Sequence, residues 1–158
     1  MIKIVLATHN IDKQKELLKV LGSKSVNILS LQDFPKIGEI IEDGKTLRDN
    51  ALLKAREVYK ITGLPSISDD TGLEIDALNG DPGVFSARYA GENCSYSDNV
   101  NKILNNMSNI PLDLRRAQFR TVMAFISEKV ELVSEGNVEG LITTETKGIG
   151  GFGYDPVF

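Results

Sequence analysis

Two hydrophobic periods share this chain. Residues 2–7 (Ile-Lys-Ile-Val-Leu-Ala) are a compact β-branched run that predicts a central strand. Thr8-His9-Asn10 breaks it, and apolar positions 11, 17, 18 and 21 then lead to Gly22. That pattern predicts a strand, a short polar loop and a helix, with Asn10 as N-cap and Gly22 as stop. Residues 25–31 predict a second strand, and 32–45, with Pro35, Gly38 and Gly44 among Glu39, Glu42 and Asp43, an irregular connection. Thr46-Leu-Arg-Asp49 has the form of a capping box with Asp in the fourth place. It opens a helix to about Thr62, with Leu47, Ala51, Leu52, Ala55 and Val58 as the buried stripe and Gly63 as stop. Lys54 and Arg56 fall on or near its polar side and are expected to be solvated.

The centre of the chain is Pro65 to Leu78. Ile67 leads into adjacent acids Asp69 and Asp70, then Thr71-Gly72, after which Leu73, Ile75 and Ala77 alternate with Glu74 and Asp76. Period-two alternation predicts a half-buried strand, so the acids are expected at a hairpin where one extended run ends and another begins. A polar turn accounts for Asp-Asp-Thr-Gly as well as a site does. Two like charges side by side are nonetheless costly without a cation, and Mg²⁺, which binds through one or two carboxylates plus phosphates, is the natural candidate.

Farther on, Phe85 and Tyr89 lie four apart and would cover one helical face, with Arg88 pointing elsewhere. Residues 95–107 predict a helix, and 117–126 and 130–138 an antiparallel strand pair joined through 127–129. Residues 143–146 are expected to extend that sheet. The chain closes on four glycines between 148 and 153 around Phe152, then Tyr154 and Asp155. A backbone so bare can approach a flat or phosphorylated ligand, and Phe152 and Tyr154 offer stacking faces for a base.

Composition narrows the classes. A length of 158 residues suits one domain or two small lobes sharing a sheet. The net charge of −4 argues against nucleic-acid or anionic-membrane partners. Cys94 is the sole cysteine, which excludes a disulfide framework and a thiol metal site. No run approaches the ~18 apolar residues of a membrane span, and the N-terminus is too short and strand-like for a signal peptide. A cytoplasmic protein is expected. Lys13 and Lys15, early in the first helix, oppose its dipole by roughly 0.3–1 kcal/mol each, a placement an anion at the helix start would relieve. Solvation beside Asp12 and Glu16 is the alternative. Neither a Walker nor a dinucleotide glycine pattern is present.

Three stretches, taken together, resemble one family: Thr8-His-Asn-Ile-Asp-Lys13; Ser68-Asp-Asp-Thr-Gly-Leu73 with Gly83-Val-Phe-Ser-Ala-Arg-Tyr-Ala-Gly91; and Gly150-Gly-Phe-Gly-Tyr-Asp-Pro156. These are similar in order and spacing to the non-canonical purine nucleoside triphosphate pyrophosphatases, the inosine triphosphate pyrophosphatase or Ham1-like family. The resemblance covers residues 1–158 as one domain. It implies an α/β fold with a long mixed sheet and flanking helices, in two lobes around an active-site groove, and a homodimer. It also implies Mg²⁺-dependent cleavage of inosine, deoxyinosine or xanthosine triphosphate to monophosphate and pyrophosphate, cleansing the nucleotide pool.

By motif, Thr8, His9, Asn10, Ile11, Asp12 and Lys13 would bind the triphosphate, and Thr71 would touch the substrate. Asp70 would hold metal and activate water, Glu42 would be the second metal ligand, and Asp69, Lys54 and Arg88 would support. Phe152, Gly153, Tyr154 and Asp155 would line the base pocket. Position 9 carries His where the family commonly has Gly, so a stiffer loop is expected there. Family members continue past this last stretch with a Ser-His-Arg motif and a Lys that read the purine's 6-keto group. With Phe158 the last residue here, the expectation is a fragment or a form without that segment, and in the latter case a purine nucleotide-binding module without turnover.

Overall fold

A computed structural model of the protein describes residues 2–22 and 25–158. Regular elements follow in the order β1 (Ile2–Leu6), α1 (Ile11–Leu21), β2 (Val26–Leu29), α2 (Leu47–Thr62), β3 (Ser66–Ile75), α3 (Tyr96–Asn106), β4 (Arg116–Ile126) and β5 (Glu131–Leu141). The strands lie in the order β2-β1-β3-β4-β5. β1 runs parallel to β2, with Ile2 opposite Val26, and parallel to β3, with Val5 opposite Ser66. β4 and β5 are joined by a tight turn in which the Ser127 N–H donates to the Val130 carbonyl at 2.9 Å. Parallel neighbours need a crossover of about a dozen residues or more, so this pair is antiparallel and the sheet is mixed. The fold is α/β, as the resemblance implies. Among the described residues no helix is long and apolar enough to cross a membrane.

The chain forms two compact units, Met1–Asp70 with Val122–Glu135, and Thr71–Thr121 with Gly136–Phe158. In the first, Val5, Ala7, Leu31, Ile37 and Val58 make the core. α2 is entered through the expected capping box, in which Thr46 Oγ1 accepts the Asp49 N–H at 3.1 Å and Asp49 Oδ2 accepts the Thr46 N–H at 3.2 Å. It stops at Gly63, whose φ of +67° is the left-handed conformation glycine adopts without strain. The predicted stripe is buried, but Lys54 is buried with it, at 6% exposure, against the expectation of a solvated lysine. Counting 3.6 residues per turn from Leu47 returns to 50–51, 54–55 and 58, so position 54 lies on the stripe itself. Arg56 does face solvent, where its guanidinium forks onto Glu131 at 2.6 and 3.0 Å.

α2 docks on β3 through two serines. Ser66 Oγ donates to the Ala55 carbonyl and Ser68 Oγ to the Ala51 carbonyl, both at 2.5 Å. Residues two apart on a strand share a face, as do residues four apart on a helix, so the two periods mesh. Asp70 therefore faces α2 and Asp69 the opposite side. β3 runs unbroken through residues 69–72, which corrects the expected hairpin. The acids need no turn to separate them because each lies on its own face, opposite its own lysine.

The second unit packs α3 against Leu73, Ile75, Ala117, Ile142, Tyr154 and Val157. Gly83–Arg88 is a 3₁₀ segment, in which three residues make a turn and positions four apart do not share a face. Phe85 is accordingly exposed, under the Arg88 guanidinium 5.2 Å from its ring centroid, while Tyr89 packs on the core. Residues 143–146 do not extend the sheet. The Thr143 and Ile142 carbonyls are taken by the Arg115 side chain, each at 2.7 Å. The chain turns back instead, with the Thr143 N–H donating to Val157 and the Lys147 N–H to Pro156.

Candidate functional site

In the first unit the loop after β1 is built on Asn10. Its Oδ1 accepts the N–H groups of Asp12 and Lys13 at 3.0 and 3.1 Å, and Thr8, itself buried, accepts the Asn10 N–H at 3.1 Å. Two of the helix-start amides expected to face an anion are thus taken by the cap, and the lysine becomes the main cationic feature. Lys13 Nζ lies 2.7 Å from Asp69 Oδ2. Burial works against its charged form, but Asp69, Asp70 and Glu42 together outweigh that and hold its pKa above the usual lysine value. Lys15 does not join them; it is exposed and lies 3.5 Å from Asp12. The His9 ring is 3.2 Å from the Gly38 carbonyl, which ties the loop down, and Ile11 is largely exposed.

On the α2 face of β3, Lys54 Nζ stands between two acids, 3.0 Å from Glu42 Oε2 and 3.8 Å from Asp70 Oδ1. Asp70 Oδ2 is buried with no hydrogen-bond partner. Burial, aided by Glu42, pushes the Asp70 carboxyl above its usual pKa, while Lys54, Lys13 and Asn50 pull it down less strongly. The structure therefore brings together Lys13, at the end of the Thr8–Lys13 stretch, with Glu42, Lys54, Asp69 and Asp70, three carboxylates against two ammonium groups. A buried carboxyl of raised basicity can accept a proton, and the ammonium groups beside it can bind anionic oxygens.

Sequence reasoning passed over Asn50, which is 1% exposed and accepts the Gly44 N–H at 2.8 Å through Oδ1. A polar residue on the apolar stripe of α2 was the available signal, for Asn50 as for Lys54.

The remaining expected residues lie in the second unit. The Thr71 hydroxyl pairs with that of Thr121 at 2.9 Å. The Tyr154 ring is buried in the core and its hydroxyl donates to the Ser86 carbonyl at 2.6 Å; burial pushes the phenol's pKa up. Tyr154 is thus an anchor rather than a stacking face. Phe152 is half-buried against Tyr96, with centroids 6.0 Å apart. Asp155 turns back to accept the Phe152 N–H at 2.8 Å, which shapes the turn through Gly153. Gly151, at φ +74°, leaves room for that carboxylate, which a Cβ there would strike. Gly151→Ala is expected to cost about 1–2 kcal/mol, the left-handed penalty, with some addition from the displaced carboxylate. An unchanged urea midpoint would show that the turn yields.

With this geometry in hand, the similarities are specific. The Ham1 family model matches residues 4–158. The dITP/XTP pyrophosphatase of Geobacter sulfurreducens is 45% identical over 159 residues, covering 100% of this chain and 80% of that protein. That of Escherichia coli K12 is 42% identical, covering 99% and 80%. The HAM1 protein of Coxiella burnetii superposes with a TM-score of 0.89 at 39% identity, over 100% of this chain and 81% of that one. The dITP/XTP pyrophosphatase structure from Mycobacterium abscessus gives 0.83 at 43% identity, over 99% and 83%. Family model, full-length identity and backbone agree, and the chain belongs to the Ham1 family.

Proposed function

We propose that this chain is a Mg²⁺-dependent pyrophosphohydrolase that cleaves ITP, dITP and XTP between the α and β phosphorus. The products would be the nucleoside monophosphate and pyrophosphate, removing deaminated purines from the nucleotide pool. The observation that carries the reading is Asp70, a buried carboxyl of raised basicity with one oxygen unpartnered, beside the Lys54–Glu42 pair. The named activities of the relatives support the substrate class. A cytoplasmic, homodimeric working form belongs to the same reading and rests on the family resemblance.

The donor set fits magnesium. Glu42 and Asp70 offer hard carboxylate oxygens, and Asp70 Oδ2 is buried with no hydrogen-bond partner. That suits an ion which takes its other ligands from phosphates and water. When bound, it would neutralise charge on the triphosphate. The chain's own residues do the rest. Asp70 accepts the proton of the attacking water as the α–β anhydride bond breaks, and Lys13 and Lys54 bind the anionic oxygens. No nucleophilic Ser or Cys is required, and Cys94 takes no part.

Product analysis of dITP and ATP incubations, each with and without Mg²⁺, tests the reading. Monophosphate and pyrophosphate from dITP, only with Mg²⁺ and not from ATP, are expected. Orthophosphate would move the cleavage to another bond and overturn the assignment, and binding without product would leave a nucleotide-binding module. Lys13→Gln is expected to raise the KM for dITP about tenfold or more, since charge-assisted bonds contribute ~1.5–3 kcal/mol. A change confined to kcat would move Lys13 out of ground-state binding.

A further inference from the structure

Asparagine is a poor helix former because its side chain competes for backbone groups, yet Asn50 sits fully buried in the first turns of α2. Its Oδ1 accepts the Gly44 N–H at 2.8 Å. That approach requires glycine, since a Cβ on residue 44 would stand 2.5 Å from Asn50 Oδ1, 2.7 Å from Asp49 Cβ and 2.9 Å from the Asn50 nitrogen. Asn50 is also among the groups that favour the charged form of the Asp70 carboxyl. One turn along the same helix face, Lys54 holds Glu42 at 3.0 Å. Two successive turns of α2 thus grip the Glu42-Asp43-Gly44 segment, Asn50 at one end and Lys54 at the other.

We propose that Asn50 is a positioning residue of the hydrolytic site, one that pins the Gly44 amide and so sets where the Glu42 carboxylate stands relative to Asp70. It rests on the pyrophosphohydrolase reading above. Asn50 acts through Glu42 and Asp70 and touches no reacting atom. A cap with a structural role alone would change stability and leave turnover by the folded protein intact.

The test compares the 158-residue chain with Asn50→Ala, Gly44→Ala and the double variant. Each is assayed with dITP and Mg²⁺ below its own melting transition. Each single change is expected to lower kcat by about 10–100-fold, the scale of small misplacements, with KM within about twofold. The double variant should lose less than the product of the two single losses, because the two changes share one contact while the Cβ at 44 still meets Asp49 Cβ and the Asn50 nitrogen. Amide hydrogen exchange at Gly44, which needs no activity, should quicken by about tenfold or more in Asn50→Ala as the bond is lost. Unchanged kcat in either folded single variant, losses that multiply in the double, or unaltered Gly44 exchange would each overturn the proposal. Should the wild-type chain release no pyrophosphate, the reaction reading falls by that result, and Gly44 exchange alone then decides whether Asn50 pins the Glu42–Gly44 segment.

Discussion

Asp70→Asn is expected to cut pyrophosphate release from dITP by about 10²–10⁴-fold, the contribution of a general base. The same change should raise the melting temperature of the Mg²⁺-free protein at neutral pH. Both effects come from one carboxylate. It is buried, its Oδ2 has no partner, and burial followed by Glu42 lifts its pKa above the ordinary range against the pull of Lys54, Lys13 and Asn50. An acid held at a raised pKa by the fold binds its proton more tightly folded than unfolded. Its contribution to stability is therefore most favourable below the unfolded value of about 3.9, and is lost as pH rises from there through the folded value. Above the folded value the cost of the buried charge is fully present, and asparagine removes it while Lys54 keeps Glu42 at 3.0 Å.

The gain in melting temperature should accordingly be largest above the folded value and vanish as pH falls through the carboxylate range. Thermal denaturation of both proteins with a chelator, across that range, decides it. A variant less stable than wild type at neutral pH would mean that pairing with Lys54 outweighs the burial cost. The stability expectation would then be wrong even if activity were lost. Function and stability are set against each other here because a base must be partly desolvated to be basic, and desolvation is what the fold resists.

Much of this architecture is written in short-range signals. The caps at Asn10 and Thr46–Asp49, the glycine stop at 63 and the Ser95 entry to α3 each depend on residues within one turn. The β1–loop–α1 unit follows from the same kind of signal. What was not legible depends on distant partners. Asp-Asp-Thr-Gly reads locally as a turn, but its place between β1 and β4 makes it strand, with α2 on one face and Lys13 on the other. Tyr154 reads as a ligand face until the Ser86 carbonyl, 68 positions away, claims its hydroxyl. Lys54 stands between these cases, since its place on the apolar stripe was countable from period alone. Residue type prevailed over position there, and the structure reverses the order.

Arg115→Met is expected to destabilise the protein by at least about 3 kcal/mol, two charge-assisted bonds at the low end of their range. Arg115 is 2% exposed, and burial lowers its pKa. Its guanidinium donates to four backbone carbonyls: Met107 and Ile110 after α3, and Ile142 and Thr143 after β5. Methionine fills much of the volume but takes the guanidinium donors from the Ile110, Ile142 and Thr143 carbonyls, while Met107 keeps the Ile110 N–H at 3.0 Å; a buried acceptor left without a donor costs more than the bond contributed. Arg115→Lys should recover only part of the loss, because one ammonium group cannot reproduce a planar fork that reaches carbonyls on two sides. Urea unfolding of the two variants measures the difference. A methionine variant within about 1 kcal/mol of wild type would show that water or a local shift satisfies the carbonyls. The position matters beyond stability, because the segment stapled at 142–143 leads directly to the turn that carries Phe152 and Asp155. Loosening Arg115 should therefore quicken amide exchange at Thr143, whose N–H reaches Val157, before the rest of the second unit opens.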